Sequence, residues 1–271
     1  MHPEPLPIID LQSGSAFRRF RTGFSFPFRG LAFVVRTPSL WPWVLLPVLL
    51  MIALIIGAGF IAWWLTPILL SYLWAMPPGG WTLTLWHVTS TVLWLVVFLL
   101  TTVVLYVGFG LIATPFYDQL SERTEAMLIG PRADVSWQQW TGDILQSIIH
   151  SLFAFALWAL FFCASLLIGL IPVLGQVLEF FIGGGLTAFL LSREMMDGPM
   201  SRRRFSFKTK LAVVWSNLAV CLGFGAATSL FLAVPVLNLF SLPCAVVGGT
   251  RMFVQLETQR LLPEGADRVS N

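Results

Sequence analysis

Glu179 is the side chain whose position in the sequence most suggests chemistry. It is the only acidic residue inside an apolar segment that runs over residues 176–192. If such a segment lies in a membrane, its carboxylate is a candidate for carrying protons or for repelling and gating an anion. The alternative is that Glu179, four residues past Gly175, lies at the outer interface and meets water. Both interpretations stay open, because the choice depends on how deep the segment sits.

Arginine is the second residue type that could do chemistry, and near the N-terminus it alternates with phenylalanine. Residues 15–41 hold six phenylalanines and five arginines, among them Arg29 and Arg36. This pattern suits an interfacial amphipathic segment, with the rings in the apolar phase and the guanidinium groups in the headgroup layer. We interpret it either as an anchor attracted to anionic lipid or as a segment that receives an anionic solute.

No motif in the sequence is typical of an enzyme, a metal site or a cofactor site. GxSxG, HExxH and P-loop patterns are absent. The three cysteines and three histidines lack CxxC or metal-ligand spacing, so buried cysteine and interfacial histidine are the simpler interpretations. Ser121, Glu122 and Arg123 are most simply the solvated face of a charged helix with local ion pairs. We therefore expect no catalysis, no metal and no cofactor.

The elements that must position these residues are dominated by an uncharged stretch, residues 37–117. Its 81 positions contain no Lys, Arg, Asp or Glu, whereas about a quarter of an ordinary soluble domain is charged. Two apolar blocks within it, residues 41–64 and 86–113, exceed the ~20 residues that a helix needs to cross a bilayer. Because 57% of all residues are hydrophobic and 11% charged, the sequence predicts an all-α integral membrane protein with two long transmembrane helices.

A separate interfacial helix is predicted directly after the second block. Thr114 and Pro115 suit an N-cap followed by the first helical position. Asp118 and Glu122 fall in the first turns, where acids complement the helix dipole. Gly130 is expected to end this helix at the cytoplasmic interface.

The C-terminal half contains an internal repeat that predicts two helical hairpins. The sequence IPVLG at residues 171–175 returns as VPVLN at residues 234–238, 63 residues later. Each copy follows a long apolar arm, residues 144–170 or 211–233, and precedes a shorter arm with a glycine pair. The residues that we place at the hairpin tips or along a pore are Pro172, Gly175, Gln176, Glu179, Pro235 and Asn238.

The sequence leaves the depth of the hairpins open. The first short arm, residues 176–192, gives about 25 Å of helix at ~1.5 Å per residue. The second, residues 239–253, is shorter and interrupted by Pro243. Neither comfortably crosses a hydrocarbon core of roughly 30 Å. The hairpins are either tight and fully spanning, or re-entrant with broken tips inside the membrane, where transport proteins build solute sites. We favour the re-entrant form.

The distribution of basic residues predicts the orientation. Arginine and lysine cluster before the first apolar block, over residues 193–210 and towards the C-terminus. By the positive-inside rule these segments and both termini are cytoplasmic. Nucleic-acid binding, the other common meaning of arginine clusters, is disfavoured because the clusters flank apolar spans. We expect a disordered tail over residues 1–14, a single membrane domain over residues 15–255 and a polar tail over residues 256–271.

Five stretches in order carry a family resemblance. They are RGL at residues 29–31, IATPF at 112–116, IPVLGQ at 171–176, LGFG at 222–225 and VPVLN at 234–238. Together they resemble the CysZ sulfate permeases, which are grouped with the etoposide-induced-protein family. The resemblance covers the chain from about residue 23 to 255. It implies a cell (inner) membrane protein with two hemi-penetrating hairpins, forming a homo-oligomer that passes sulfate or a similar oxyanion inward for cysteine biosynthesis.

One position departs from the family pattern. In the family a Gly-Leu-Arg-like turn before the first long helix is associated with sulfate binding, and the matching residues here are Gly30, Leu31 and Ala32. We hypothesise that Arg29 or Arg36 supplies the missing charge, because a dianion needs arginine, backbone N–H groups or helix N-termini to replace its water. The competing hypothesis is a non-transporting scaffold or lipid-interacting protein of the same fold.

Overall fold

The protein is described by a computed structural model that covers residues 9–11, 14–130 and 174–263. Within these ranges it is helical and has no strand, which confirms the all-α prediction. The predicted arm over residues 144–170 and the tip residue Pro172 lie outside them. The helices are α1 (Ala16–Arg36), α2 (Trp41–Leu73), α3 (Trp81–Ile129), α4 (Leu174–Met195), α5 (Asp197–Arg202), α6 (Phe207–Ser216), α7 (Leu218–Ala233) and α8 (Pro235–Thr258), with a short 3-10 turn at Pro38–Leu40.

The chain divides into two compact units. Unit 1 comprises the residues up to Trp41 together with those from Asp118 onwards, and unit 2 comprises Pro42–Tyr117. Unit 2 holds the apolar helices, whose membrane-compatible stretches are 36 and 30 residues long, against the ~20 that a crossing needs. Large apolar side chains such as Trp63 and Val104 are more than half exposed, as lipid contact requires. The two predicted transmembrane helices are thereby confirmed.

The separate interfacial helix predicted after Thr114 is not formed, because α3 continues without a break to Ile129. The hydroxyl of Thr114 donates to the carbonyl of Gly110 at 2.7 Å, one turn back in the same helix, and so does not act as an N-cap. Proline is tolerated within membrane helices, where neighbouring groups compensate for the hydrogen bond that it removes. Pro115 therefore lies inside α3.

The core of unit 1 is built on glycines at which helix backbones touch. A Cβ atom on Gly223 of α7 would lie 2.0 Å from the Phe20 carbonyl oxygen of α1. One on Gly225 would lie 1.9 Å from the Ala188 carbonyl oxygen of α4. No side chain fits at such a distance, so these glycines set how closely α1 and α4 approach α7.

Helix α1 is the amphipathic segment that the Phe and Arg pattern predicts. The side chain of Ser15 caps its first turn by accepting from the Arg18 amide. Its buried face includes Phe26 and Val34, while Arg21 and Arg36 are exposed. We expected the apolar face to lie against lipid. Instead it packs on α7 and α8, because the glycines of those helices let it approach closely.

The predicted arm over residues 211–233 is broken in the structure. Helices α6 and α7 meet at an angle of 96° with Asn217 between them. The side-chain amide of Asn217 donates to the carbonyls of Val213 and Leu261, at 3.1 and 3.0 Å, and so ties the break to the end of α8. The 16 residues of α7 are about 24 Å long. The following helix, α8, runs through Pro243 without the predicted interruption.

Candidate functional site

The four predicted substrate-binding residues, Arg29, Gly30, Leu31 and Arg36, all lie in the second half of α1. Arg29 and Leu31 are half-buried and Arg36 is exposed. Ala32 is also exposed, and it stands three residues after Arg29 and four before Arg36. At 3.6 residues per turn these three positions share one helix face. The two arginines therefore flank the position where the family carries its basic residue.

Gly30 lies inside α1 and not in a turn. A Cβ atom there would be 2.3 Å from the carbonyl oxygen of Cys244 and 2.7 Å from the amide nitrogen of Gly248, both in α8. Gly30 is thus required for helix packing, and its own backbone is covered by α8. Any anion contact in this region must come from the opposite, exposed face of α1.

The predicted tip residues lie in the first turns of α4 and α8. Gly175 is buried in the first turn of α4 and Gln176 follows it, while Glu179 is exposed one turn further on. Pro235 is the first residue of α8, whose N-terminus has no side-chain cap. The amide of Asn238 donates to the Val234 carbonyl, so the amides before it have no acceptor within the helix.

The structure does not bring the α1 residues and the α8 tip together. Gly30 contacts α8 at Cys244, which lies nine residues after Pro235. At ~1.5 Å per residue this contact is about 14 Å along the helix from the tip. The predicted residues therefore lie at separate places on unit 1: an arginine face on α1, the first turns of α4 and the start of α8.

A buried ion network, which sequence analysis did not find, joins the end of α3 to α5 and α8. The Arg203 side chain is only 2% exposed and lies 2.7 Å from a carboxylate oxygen of Glu125, itself 5% exposed. Its Nε donates to Glu257 at 2.6 Å and its Nη1 to the carbonyl of Pro199 at 2.8 Å. Arg202 donates to the other oxygen of Glu125 at 2.7 Å. The four side chains have no net formal charge.

This network changes the interpretation of two predicted features. The solvated face expected around Ser121 is wrong at Ser121 itself, which is buried. The ion pairs of Glu125 with Arg202 and Arg203 join distant segments and are not the local pairs expected on one helix. Arg202 and Arg203 belong to the basic cluster over residues 193–210, but Glu125 and Glu257 already balance their charge, so they are poor candidates for capturing an anion. The partners lie 77 and 54 residues apart in the chain, so no local sequence pattern marks them.

The sequence matches the family described as sulfate transporter CysZ/etoposide-induced protein 2.4 over residues 26–243. This match covers most of the chain. The chain belongs to this family. The CysZ/etoposide-induced family is one of transporters and not of enzymes, which confirms the expectation that the chain is not an enzyme. Together with the apolar helices of unit 2, it identifies an integral membrane protein.

Curated members of the family give the same result. The protein named sulfate transporter CysZ of Salmonella typhimurium is 29% identical over 232 residues, which are 82% of this chain and 87% of the relative. The proteins of the same name from Salmonella enteritidis and Salmonella typhi are 29% identical over 247 residues, with the same coverage. The alignments thus extend over nearly the full length of both partners.

Unit 2 of this CysZ-family chain also contains a cavity of about 640 Å³. Trp86 donates its indole N–H to the Trp74 carbonyl at 3.3 Å within it. No charged side chain lines the cavity, so it offers hydroxyl and indole groups but cannot neutralise a dianion. Its lining residues are Trp63, Thr66, Pro67, Leu70, Ser71, Trp74, Ala75, Met76, Trp86, Ser90, Thr91 and Trp94.

Proposed function

We propose that this chain is an inner-membrane permease or channel for sulfate or a related oxyanion, which feeds sulfur assimilation. The observation that carries the proposal is the face of α1 on which Arg29 and Arg36 flank exposed Ala32. Two guanidinium groups on one face provide charge-assisted hydrogen bonds for a dianion. The relatives named sulfate transporter, aligned over 82% of the chain, support sulfate as the first candidate.

The route past this face is proposed to use re-entrant hairpins. Helix α7, about 24 Å long, is shorter than a hydrocarbon core of roughly 30 Å, so a hairpin of α7 and α8 with its tip inside the membrane is favoured. The uncapped start of α8 supplies backbone N–H groups at that tip from the two residues after Pro235, which itself has none. Exposed Glu179 is the candidate gate, because its carboxylate repels an anion nearby.

We further propose that both termini are cytoplasmic and that the protein is a homo-oligomer in the bilayer. The basic segments support the orientation through the positive-inside rule. The apolar side chains exposed on α2 and α3 can be covered by lipid or by another copy of the chain. The single membrane domain over residues 15–255, between polar tails, is part of the same proposal.

Uptake of labelled sulfate into liposomes containing the purified protein tests this function. The Arg29→Ala, Arg36→Ala double variant is expected to take up sulfate at least about tenfold more slowly, because two charge-assisted hydrogen bonds of ~1.5–3 kcal/mol each are lost. The control is Arg18→Ala, Arg21→Ala, which removes the same charge from exposed positions nearer the start of α1.

The outcomes separate the hypotheses. Equal uptake by both double variants would move capture away from the arginine face while keeping a permease. No uptake by correctly folded wild-type protein would contradict the permease and favour the scaffold or lipid-interacting alternative, for which Ala32 in place of the family's basic residue is the supporting observation.

Restoring that basic residue gives a second prediction. The Ala32→Arg variant is expected to bind sulfate about tenfold more tightly, through one added charge-assisted hydrogen bond. Ala32 is exposed, so an arginine fits without displacing a neighbour. Equilibrium binding of labelled sulfate measures the effect, with Ala32→Gln as the uncharged control. An equal gain in the glutamine variant would show that charge at this position is not responsible.

A further inference from the structure

A small cavity of about 280 Å³ in unit 1 lies at the break between α6 and α7. The start of α1 and the residues after α8 form its other walls. The chain before α1 also closes on it, since Gln259 holds the backbone of Ile9 and Leu11 through hydrogen bonds of 2.6 and 3.0 Å. The lining residues are Leu11, Arg19, Ser216, Asn217, Ala219, Val220, Arg260, Leu261, Leu262 and Pro263.

The charge of this cavity is entirely positive among its lining residues. Two of them are arginines, Arg19 and Arg260, and none is acidic. The Nε of Arg19 is buried and has no hydrogen-bond partner within the described chain. Leaving a guanidinium N–H buried without an acceptor is costly, so its position calls for an acceptor beyond those that the described residues supply.

Besides the two arginines, the N-terminus of α7 adds hydrogen-bond donors to the cavity. Asn217 is its N-cap residue, but its side chain makes no capping bond. The side-chain NH2 group of Asn217 donates instead to Val213, Ser216 and Leu261. The amide of Cys221 is the first to bond within this turn, to the Asn217 carbonyl. The earlier backbone amides, including those of lining residues Ala219 and Val220, have no acceptor among the described residues, and the helix dipole favours negative charge there.

We propose that this cavity binds a tetrahedral oxyanion, either free sulfate or phosphate or the phosphate of a lipid headgroup. The acceptor oxygens of such a group match the unpartnered Nε of Arg19, the exposed guanidinium of Arg260 and the first amides of α7. The site is distinct from the arginine face of α1, since Arg29 is ten residues, about 15 Å of helix, beyond Arg19. It does not depend on transport.

An occupied cavity would join three elements, α1, the α6–α7 break and the end of α8. The occupant therefore stabilises the break at Asn217, from which the short helix α7 starts. A ligand here would set the angle of α7 from the end of the helix opposite to the proposed tip at Pro235. Binding should accordingly appear as a rise in thermal stability.

The test uses full-length Arg29→Ala, Arg36→Ala protein in detergent, so that the arginine face makes no contribution. At constant ionic strength, inorganic sulfate or phosphate in place of chloride is expected to raise Tm, and labelled sulfate to bind. Arg19→Gln and, separately, Arg260→Gln are each expected to weaken binding about tenfold. Arg260 is exposed, so its variant keeps the fold even if that at Arg19 does not. Arg21→Gln is the control.

A second arm distinguishes the sources of the oxyanion. The same proteins are placed in nanodiscs of phosphatidylglycerol or of phosphatidylcholine, and Tm is compared. A rise with phosphatidylglycerol but not with free sulfate or phosphate, lost in Arg260→Gln, assigns the site to a lipid headgroup. A response to none of these anions, or an equal response in Arg260→Gln and Arg21→Gln, would overturn the proposal. Neither result bears on sulfate uptake, which is measured separately.

Discussion

The Gly225→Ala variant is expected to be strongly destabilised. The added Cβ atom would lie 1.9 Å from the carbonyl oxygen of Ala188 and 2.5 Å from that residue's carbonyl carbon and Cα. Overpacking a core usually costs about 1–3 kcal/mol, because neighbouring side chains must leave their preferred rotamers. Here the obstacle is backbone, so α4 and α7 must separate, and we expect more than ~3 kcal/mol of a total stability of about 5–15 kcal/mol.

A hydrogen bond also joins α4 to α7 and opposes sliding of one helix along the other. The buried hydroxyl of Ser192 in α4 contacts the carbonyl oxygens of Ala188 and Cys221, the latter in α7. Any shift that accommodates a methyl group at Gly225 also breaks this contact. The loss of packing and of the hydrogen bond therefore occur together.

Thermal unfolding and the monodisperse fraction in detergent measure the effect. The matched control is Gly184→Ala in α4, where an added Cβ meets nothing within 4 Å. That variant is expected to be as stable as the wild type or more stable by ~0.5–1 kcal/mol, because alanine loses less entropy in a helix. A Gly225→Ala protein that unfolds like the wild type would contradict the α4–α7 contact.

Removing Arg203 is expected to have the second-largest effect. In Arg203→Met the apolar side chain fills part of the same space but leaves Glu125 and Glu257 without their shared cation. Breaking a buried ion pair by removing one partner typically costs about 3–5 kcal/mol, because a carboxylate is left uncompensated. The 2% exposure of the Arg203 side chain places it in this class. Its guanidinium also lies 4.6 Å from the ring centroid of Phe253.

Two comparison variants test why Arg203→Met loses stability. Arg21→Met removes an exposed arginine, and its stability is expected to match the wild type. Adding Glu257→Gln to Arg203→Met removes one stranded carboxylate and leaves the pair of Arg202 and Glu125 in place, so part of the loss should be recovered. If the double variant is no more stable than the single one, the uncompensated carboxylate of Glu257 is not the source of the loss.

The properties of the fold that depend on composition were predictable from the sequence. The uncharged residues 37–117 cannot form the surface of a soluble domain, because such a surface needs charged side chains. The two membrane helices could therefore be predicted from this stretch directly. The amphipathic helix α1 followed in the same way from the alternation of Phe and Arg. What this helix packs against did not follow, because that depends on glycines in α7 and α8 whose closeness is a tertiary property.

The breaks in the helices were not predictable, because distant or one-turn contacts decide them. Asn217 breaks an apolar arm with no proline or glycine at that point, and its amide bonds to Leu261, 44 residues away. Pro115 looks like the start of a helix, yet α3 continues through it, with the Thr114 hydroxyl bonded one turn back. At Asn217 the deciding hydrogen bond lies outside any sequence window. At Pro115 the continuous helix overrides a local signal for a helix start.

Part of the candidate site could be placed from the sequence. Once α1 is assigned as a helix, the spacing of Arg29, Ala32 and Arg36 puts them on one face. The packing role of Gly30 and the partners of Arg203 could not be placed, because each requires a contact with α8. The cavity between Arg19 and Arg260 combines residues from opposite ends of the chain, and no motif spans such a distance.

The neutrality of the network around Arg203 has a consequence for how this protein responds to ionic strength. Salt screens exposed charges over about 10 Å at ~0.1 M, so the attraction of Arg36 for an anion weakens as salt is added. Arg203 lies away from water against two carboxylates, and mobile ions cannot enter between them. Raising the salt concentration should therefore lower the affinity of the exposed arginines for an anion. The contribution of Arg203 to the stability of unit 1 should stay unchanged.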